Sequence, residues 1–127
     1  MFLGRVNDYV TVANTAIPFV TVINSNAKTS NSVGVVSIRK PGYYLVDADL
    51  TITGVAGDVV ATIFADGVAT QATATATLTA ATDFANLSIT DAVRVAIAQF
   101  PDVATISVVL DTAGVVVDGS LRVVALS

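Results

Sequence analysis

The chain has 127 residues, of which 54 % are apolar and only 13 % are charged, and its formal charge is −4. Since soluble domains carry about 25 % charged residues, this composition predicts one domain that hides further surface by oligomerising. The acidic balance argues against nucleic-acid binding, and the absence of Cys and His excludes disulfides, thiol chemistry and histidine catalysis.

The residue types point to an all-β protein. Every acidic residue is Asp, which favours turns, and the abundant Val and Thr favour strands. Turn signals at nearly regular spacing predict an antiparallel β-sandwich of about 8–10 short strands. In chain order, the expected strands are 6–12, 17–23, 33–38, 43–53, 59–65, 70–79, 84–89, 92–99, 104–110 and 115–126.

Neither a membrane span nor a signal peptide is evident. Every apolar window of about 18 residues is interrupted by Asp, Arg, Lys, Asn or Gln, so we expect no membrane insertion. The opening residues MFLGRVNDY contain no apolar run of signal-peptide length, so we expect synthesis in a cytoplasm.

Alternation within the strands predicts which side chains form the core. In YYLVDADLTIT the even positions are all apolar and the odd positions are mostly polar, as expected for one buried and one solvated face. The segments ATISVVL and LRVVAL contribute apolar positions in the same way. The expected core residues are Tyr44, Val46, Leu50, Ile52, Ile106, Val108, Leu121 and Val123.

Two strands are apolar on both faces, which predicts a subunit interface. In VVATIF the second apolar face holds Val60 and Phe64, and in LRVVAL it holds Val124 and Leu126. A strand that is apolar on both faces is covered on both faces. In a two-layer sandwich, we expect that second cover to come from another subunit.

Strict alternation of threonine and alanine marks the segment QATATATLTA. It lacks the Gly, Ser and Pro of a flexible linker, and its period of two predicts a strand. The alanine row would let two layers approach closely, and the threonine row would give a stiff, neutral surface or a lateral contact. The alternative is an ordinary sandwich strand with its threonine face in water.

The sequence offers little catalytic chemistry, so we expect no enzyme, no cofactor and no metal. Asp47 and Asp49 share one strand face and could form a carboxylate pair, but that face is the solvated one. The alternative of a calcium site built from turn carboxylates lacks a D-x-D-x-D-G loop. Asp side chains at turns ordinarily cap their own backbone, and those expected to do so are Asp58, Asp66, Asp83, Asp91, Asp102, Asp111 and Asp118.

Four segments follow one another in an order that resembles a known family. They are AIPFVTVINSN, KPGYYLVDADLTITG, VVATIFADGVA and VDGSLRVVAL. The order is similar to the jelly roll of the tumour-necrosis-factor and complement globular-head superfamily, especially its phage relatives in head fibres and capsid decoration proteins. Gly42 and Tyr44 match the family's G-x-Y-x-aromatic strand, although Val46 replaces the aromatic.

Further matches extend the resemblance over roughly residues 9 to 127. Gly119 and Leu121 match a G-x-L element near the end of the family's final strand, and Phe19 and Asn24 approximate an early Phe followed by Asn. The resemblance implies a jelly-roll homotrimer with the final strand close to the threefold axis. It rests on pattern and carries no catalytic motif.

The resemblance also implies a setting on a phage particle. The expected function is a trimeric capsid decoration or head-fibre protein on the virion surface, made in the cytoplasm of a host bacterium. Its expected partners are its own copies, the major capsid protein or another virion protein, and a cell-surface glycan if it aids adhesion. The alternative function is a carbohydrate- or receptor-binding module of a tail fibre or bacterial surface protein.

The first residues are the candidate attachment segment in that setting. Phe2 and Leu3 are apolar without an evident internal reason. They predict an N-terminal arm over residues 1–8, followed by the jelly-roll domain over 9–127. A fraying terminus is the equal alternative.

Overall fold

The computed structural model describes residues 1–24, 29–95 and 104–126. Within these ranges the backbone forms eleven β-strands. The strands are β1 (Phe2–Val10), β2 (Thr15–Ala16), β3 (Val20–Asn24), β4 (Thr29–Ser32), β5 (Val35–Ile38), β6 (Gly42–Thr53), β7 (Gly57–Ala65), β8 (Val68–Leu78), β9 (Ala85–Val95), β10 (Ala104–Leu110) and β11 (Val115–Ala125).

The strands pair into two antiparallel sheets. Sheet A has the order β3-β1-β11-β6-β9. Sheet B has the order β4-β5-β10-β7-β8, and the short β2 also pairs with β10. The chain crosses between the sheets repeatedly, so strands adjacent in space are often distant in sequence. The predicted all-β antiparallel sandwich is confirmed.

The hydrophobic core lies between the two sheets. Each of the eight side chains expected there is at most 2 % exposed. Period-two alternation produces this arrangement, because successive side chains of a strand point to opposite faces. Burial of each large aliphatic side chain stabilises the fold by about 1.5–3 kcal/mol.

The N-terminal residues form a strand of the sandwich, so the predicted arm over residues 1–8 is wrong. β1 pairs with both β11 and β3, and Phe2 is completely buried. Gly4 makes room for the core at this point, since a Cβ there would lie 2.9 Å from the Cβ of Phe19. The domain therefore includes residues before position 9, and Phe2 is packed in the core, where it cannot act as an attachment residue.

Two hairpin turns have positive φ at both central residues. Asp66 and Gly67, with φ of 54° and 77°, join β7 to β8 as the Asp-Gly pair predicts. Val33 and Gly34, with φ of 50° and 83°, join β4 to β5. The second hairpin differs from the sequence prediction, which has no strand between residues 23 and 33.

Strand β9 corrects another expectation. The segments 84–89 and 92–99 were expected to be two strands separated by a turn at Asp91. The structure instead has one continuous strand, in which Asp91 lies opposite Val46 of β6. Residues 96–99 of the second expected strand lie outside the described residues, as does Asp102.

The alternating segment forms most of β8, the edge strand of sheet B. Its alanines, Ala72, Ala74 and Ala76, are half-buried and pack against the core, and the intervening threonines are exposed. β8 lies close to β9, the edge strand of sheet A. Small side chains at this edge thus face the narrow space where the two sheets meet.

Buried Tyr44 gives a testable dependence of stability on pH. Its hydroxyl donates a hydrogen bond of 2.7 Å to the Lys40 carbonyl, and burial raises the pKa of the phenol above its ordinary value. The folded state therefore favours the protonated phenol, and its contribution to stability is lost as pH rises through the elevated pKa.

We expect Tyr44→Phe to cost about 1 kcal/mol at neutral pH through the lost hydrogen bond. The same variant should show a flatter decline in the free energy of unfolding above about pH 10 than the wild type. Urea unfolding at a series of pH values measures both effects. Tyr43→Phe, at a position that is 53 % exposed, is the control and should keep the wild-type decline. If the free energy of unfolding falls equally steeply with pH in the wild type and in Tyr44→Phe, the decline does not come from the Tyr44 phenol.

Candidate functional site

The outer face of sheet A carries a band of charged and polar side chains. The Arg122 Nη2 and the Asp47 Oδ2 form an ion pair at 3.0 Å. Asp49, two residues along the same strand, accepts a hydrogen bond from the Ser88 hydroxyl. The carboxylate pair considered from the sequence is thus divided between different partners, and the Thr90 hydroxyl also donates to Asp47 at 3.3 Å.

Two adjoining depressions follow this polar band. The first has a volume of about 220 Å³ and lies between β1, β11, β6 and β9. Among its lining residues are Arg5, Asp49, Asn86, Ser88 and Asp118. The second, of about 290 Å³, also borders Asp49 and continues to Arg122. We call the two together the polar trough.

Apolar side chains lie beside the trough, at the end of sheet A where β1 begins and β11 ends. Val124 pairs with Leu45, and Leu45 pairs with Ala92. Leu126 is 55 % exposed, and its backbone N–H donates to the carbonyl of Tyr43. Two of the four predicted interface residues, Val124 and Leu126, therefore lie on the outer side of sheet A.

The other two predicted interface residues lie on the opposite side of the molecule. Val60 and Phe64 are half-buried on the outer face of β7, in sheet B. The structure therefore does not bring the four residues into one surface. Contact surfaces that face opposite directions stack subunits into an open array, whereas a closed ring needs surfaces that are inclined toward each other.

The free edges of the sheets are a feature that the sequence did not reveal. β8 and β9 are terminal strands of their sheets and lie side by side. β8 has no charged residue, although charges ordinarily protect an exposed edge from pairing with another chain. This uncharged edge adjoins the outer face of sheet A along β9. The sequence predicted strands but not their spatial order in the two sheets.

Three of the Asp residues expected to cap turns hold backbone groups, two of them on distant segments, whereas Asp58, Asp91 and Asp118 lie within β7, β9 and β11. Asp66 accepts from the Thr105 N–H at 2.9 Å, Asp83 from the Ala80 N–H at 3.0 Å, and Asp111 from the Val60 N–H at 2.9 Å. In the part of the chain that is described, no group of three or more His, Cys, Asp or Glu side chains could hold a metal ion. Over the same ranges, no helix is long and apolar enough to cross a membrane.

Comparisons with known proteins identify the fold. No family model matches the sequence, and a search of curated proteins finds no significant match. Murine APRIL at pH 8.5 superposes with a TM-score of 0.68 and 10 % identity, over 95 % of this chain and 98 % of that chain. Murine APRIL at pH 5.0 superposes with a TM-score of 0.70 and 9 % identity, over 94 % of this chain and 96 % of that chain. The PRD1 vertex protein P5 superposes with a TM-score of 0.63 and 13 % identity, over 99 % of this chain and 96 % of that chain. The chain has the tumour-necrosis-factor-like jelly-roll fold that its motifs predicted.

Proposed function

We propose that this chain is a structural protein of a phage virion, displayed on the particle surface as a homotrimer. The observation that carries the proposal is the fold that the chain shares over almost its whole length with a vertex protein. The high apolar fraction and the charged fraction of only 13 % support self-association, because soluble domains usually carry about 25 % charged residues.

The trimer that the surfaces support joins the outer face of sheet A to the β8–β9 edge of the next subunit. These two surfaces adjoin at β9, so they are inclined toward each other and permit a closed ring. β11 then lies near the threefold axis, and Val124 is covered by the neighbouring subunit. Val60 and Phe64 stay on the outside of this trimer.

Three of the charged side chains on sheet A, Asp47, Asp49 and Arg122, fit a buried or half-buried position between subunits. Arg122 and Asp47 are already paired within the protomer, which lowers the cost of removing both from water. Hydroxyl groups of Ser88 and Thr90 satisfy carboxylate oxygens of the same band. Polar groups that are hydrogen-bonded in advance can enter an interface without leaving unsatisfied charges.

Within the virion we propose a non-enzymatic role in capsid decoration or in a head fibre. The chain would be made in the host cytoplasm, would contact the major capsid protein or another shell protein, and would reinforce the shell or aid adhesion. A stiff sandwich that joins its neighbours through broad surfaces suits reinforcement.

A second candidate function is a carbohydrate- or receptor-binding module. The observation that favours it is the polar trough, where Arg5, Asp49, Asn86 and Ser88 present donors and acceptors within about 220 Å³. Such groups can hydrogen-bond sugar hydroxyls. The two candidates compete for one surface, because a neighbouring subunit on sheet A would cover the trough.

The deciding experiment combines solution mass with location. Light scattering over a dilution series should give three times 12.9 kDa for the purified chain, and purified virions should contain the chain in stoichiometric amounts. A soluble monomer that binds glycans saturably, with no copies on virions, would support the binding module and contradict the virion trimer.

A further inference from the structure

Four loops meet at one end of the sandwich, which we call the apolar end. The strand register places Val10 opposite Val115 and Val115 opposite Thr53, so the connections next to these strands lie side by side. The loops are 11–14, 54–56, 79–84 and 111–114.

Hydrogen bonds join these loops in pairs. The Thr11 N–H donates to the Gly114 carbonyl at 2.8 Å, and the Gly114 N–H donates to the Thr11 hydroxyl at 2.7 Å. The Gly54 N–H donates to the Ala81 carbonyl at 2.9 Å. A surface held in this way is organised before it meets a partner, so binding costs little ordering entropy.

Large apolar side chains are exposed on this surface. Val10 is 69 % exposed, Val12 is 59 % exposed and Phe84 is 67 % exposed. Phe84 follows Asp83, whose carbonyl accepts a hydrogen bond from the Thr53 hydroxyl, so it lies next to the Val10–Val115–Thr53 row. A group of exposed apolar side chains on a rigid surface is typical of a site that binds another protein.

Every charge near these side chains is negative, among the residues that the structure describes. Asp58, Asp83 and Asp111 are exposed at this end of the sandwich. The basic residues that the structure describes lie in mid-sheet or toward the opposite end, since Arg94 pairs with Tyr43 and Arg122 pairs with Asp47. Those basic residues are Arg5, Arg39, Lys40, Arg94 and Arg122.

We propose that the apolar end docks on a basic, partly apolar surface of another virion protein and attaches the chain to the particle. The inference rests on the proposed virion function and names the attachment site, which residues 1–8 do not provide. Exposed aromatic and aliphatic groups give the contact its affinity, and the surrounding carboxylates select a basic partner.

A second copy of the chain is a less suitable occupant. The basic residues toward the opposite end would make end-to-end stacking electrostatically favourable, but such a contact does not close and would extend into a filament. Val12 and Phe84 lie on loops outside the strands whose face and edge form the proposed trimer, so attachment and trimer formation can occur together.

The test places a positive charge on the apolar end and compares the effect with that of the same charge placed at the opposite end of the sandwich. Phe84→Lys is the test variant, and Val12→Lys is a second variant at another loop of the same end. Val68→Lys is the control, because Val68 is 68 % exposed but lies at the opposite end. Phage particles are produced with each version, and copies of the chain per particle are measured against the major capsid protein.

We expect Phe84→Lys to weaken binding of the chain to stripped particles at least about thirtyfold, as loss of a central aromatic contact does, and therefore to lower the number of copies per particle. Val68→Lys should leave the number unchanged. Rebinding of wild-type chain to stripped particles should weaken as salt is raised, because the contact is between opposite charges. The melting temperature and solution mass of each variant should equal those of the wild type.

The possible results separate this inference from the proposed function. If wild type, Phe84→Lys and Val12→Lys are present at equal copy number, the docking assignment is wrong and the virion function stands. If wild-type chain is absent from purified particles, both proposals fail. If Phe84→Lys changes the solution mass, the apolar end contacts another copy of the chain, which also overturns the assignment.

Discussion

Replacing Val124 with aspartate is expected to convert a particle of three times 12.9 kDa into folded monomers of 12.9 kDa. Val124 lies on the outer face of β11 with Leu45 beside it, and the proposed trimer covers both. An unpaired carboxylate at such a position costs several kcal/mol, because nothing in the contact replaces its hydration. At about 3 kcal/mol for each contact, every one of the three contacts would weaken by roughly a hundredfold, and formation of the trimer from monomers by roughly a millionfold. Light scattering over a dilution series measures the change directly.

Val60→Asp is the matched control for that experiment. Val60 is also a half-buried valine on an outer strand face, but it belongs to sheet B. Its variant should retain the trimer mass, with a modest loss of stability because Asp111 is close by. If Val60→Asp dissociates the trimer and Val124→Asp does not, sheet B forms the interface and the proposed arrangement is wrong.

A second large effect is expected from Phe2→Ala, which should lower the free energy of unfolding by about 3–5 kcal/mol. Phe2 is completely buried, and its ring lies close to Gly4 on the core side of β1. Truncation therefore leaves a cavity between the sheets in addition to the lost burial. At constant protomer concentration, thermal unfolding should shift downward by more than about 10 °C.

Val10→Ala provides the comparison within the same strand. Val10 is 69 % exposed, so its truncation should change the free energy of unfolding by no more than about 0.5 kcal/mol. An N-terminal arm would give the opposite pattern, with Phe2→Ala as mild as Val10→Ala. If both variants change the free energy of unfolding by the same small amount, residues 1–8 form an arm and the buried position of Phe2 is wrong.

These two experiments bear on the function in different ways. Loss of the trimer in Val124→Asp would expose the polar trough, so a glycan that binds only to that variant would show that assembly and binding compete for sheet A. Phe2→Ala tests the fold alone. Attachment to a virion depends instead on the apolar end and should survive both changes where the chain remains folded.

The sequence by itself determined the local features of this protein. Alternation in YYLVDADLTIT and ATISVVL is enough to assign Tyr44, Leu50 and Ile106 to the core, because a strand has only two faces and one of them is apolar. The turn at Asp66 and Gly67 was equally predictable, since both residues accept positive φ. The resemblance of four segments to the tumour-necrosis-factor and complement globular-head superfamily then predicted the jelly roll.

Only the tertiary structure decided the features that depend on neighbours distant in the chain. Phe2 is buried because β1 lies between β11 and β3, and the short stretch FLGRV did not show that such partners cover it. Val60 and Val124 have similar local patterns, yet they lie on opposite sides of the molecule because β7 and β11 belong to different sheets. The apolar end is formed by loops up to 103 residues apart, such as those joined by Thr11 and Gly114. Period-two patterns fix which face of a strand is buried, whereas long-range strand pairing decides what lies on the other face and which loops share an end.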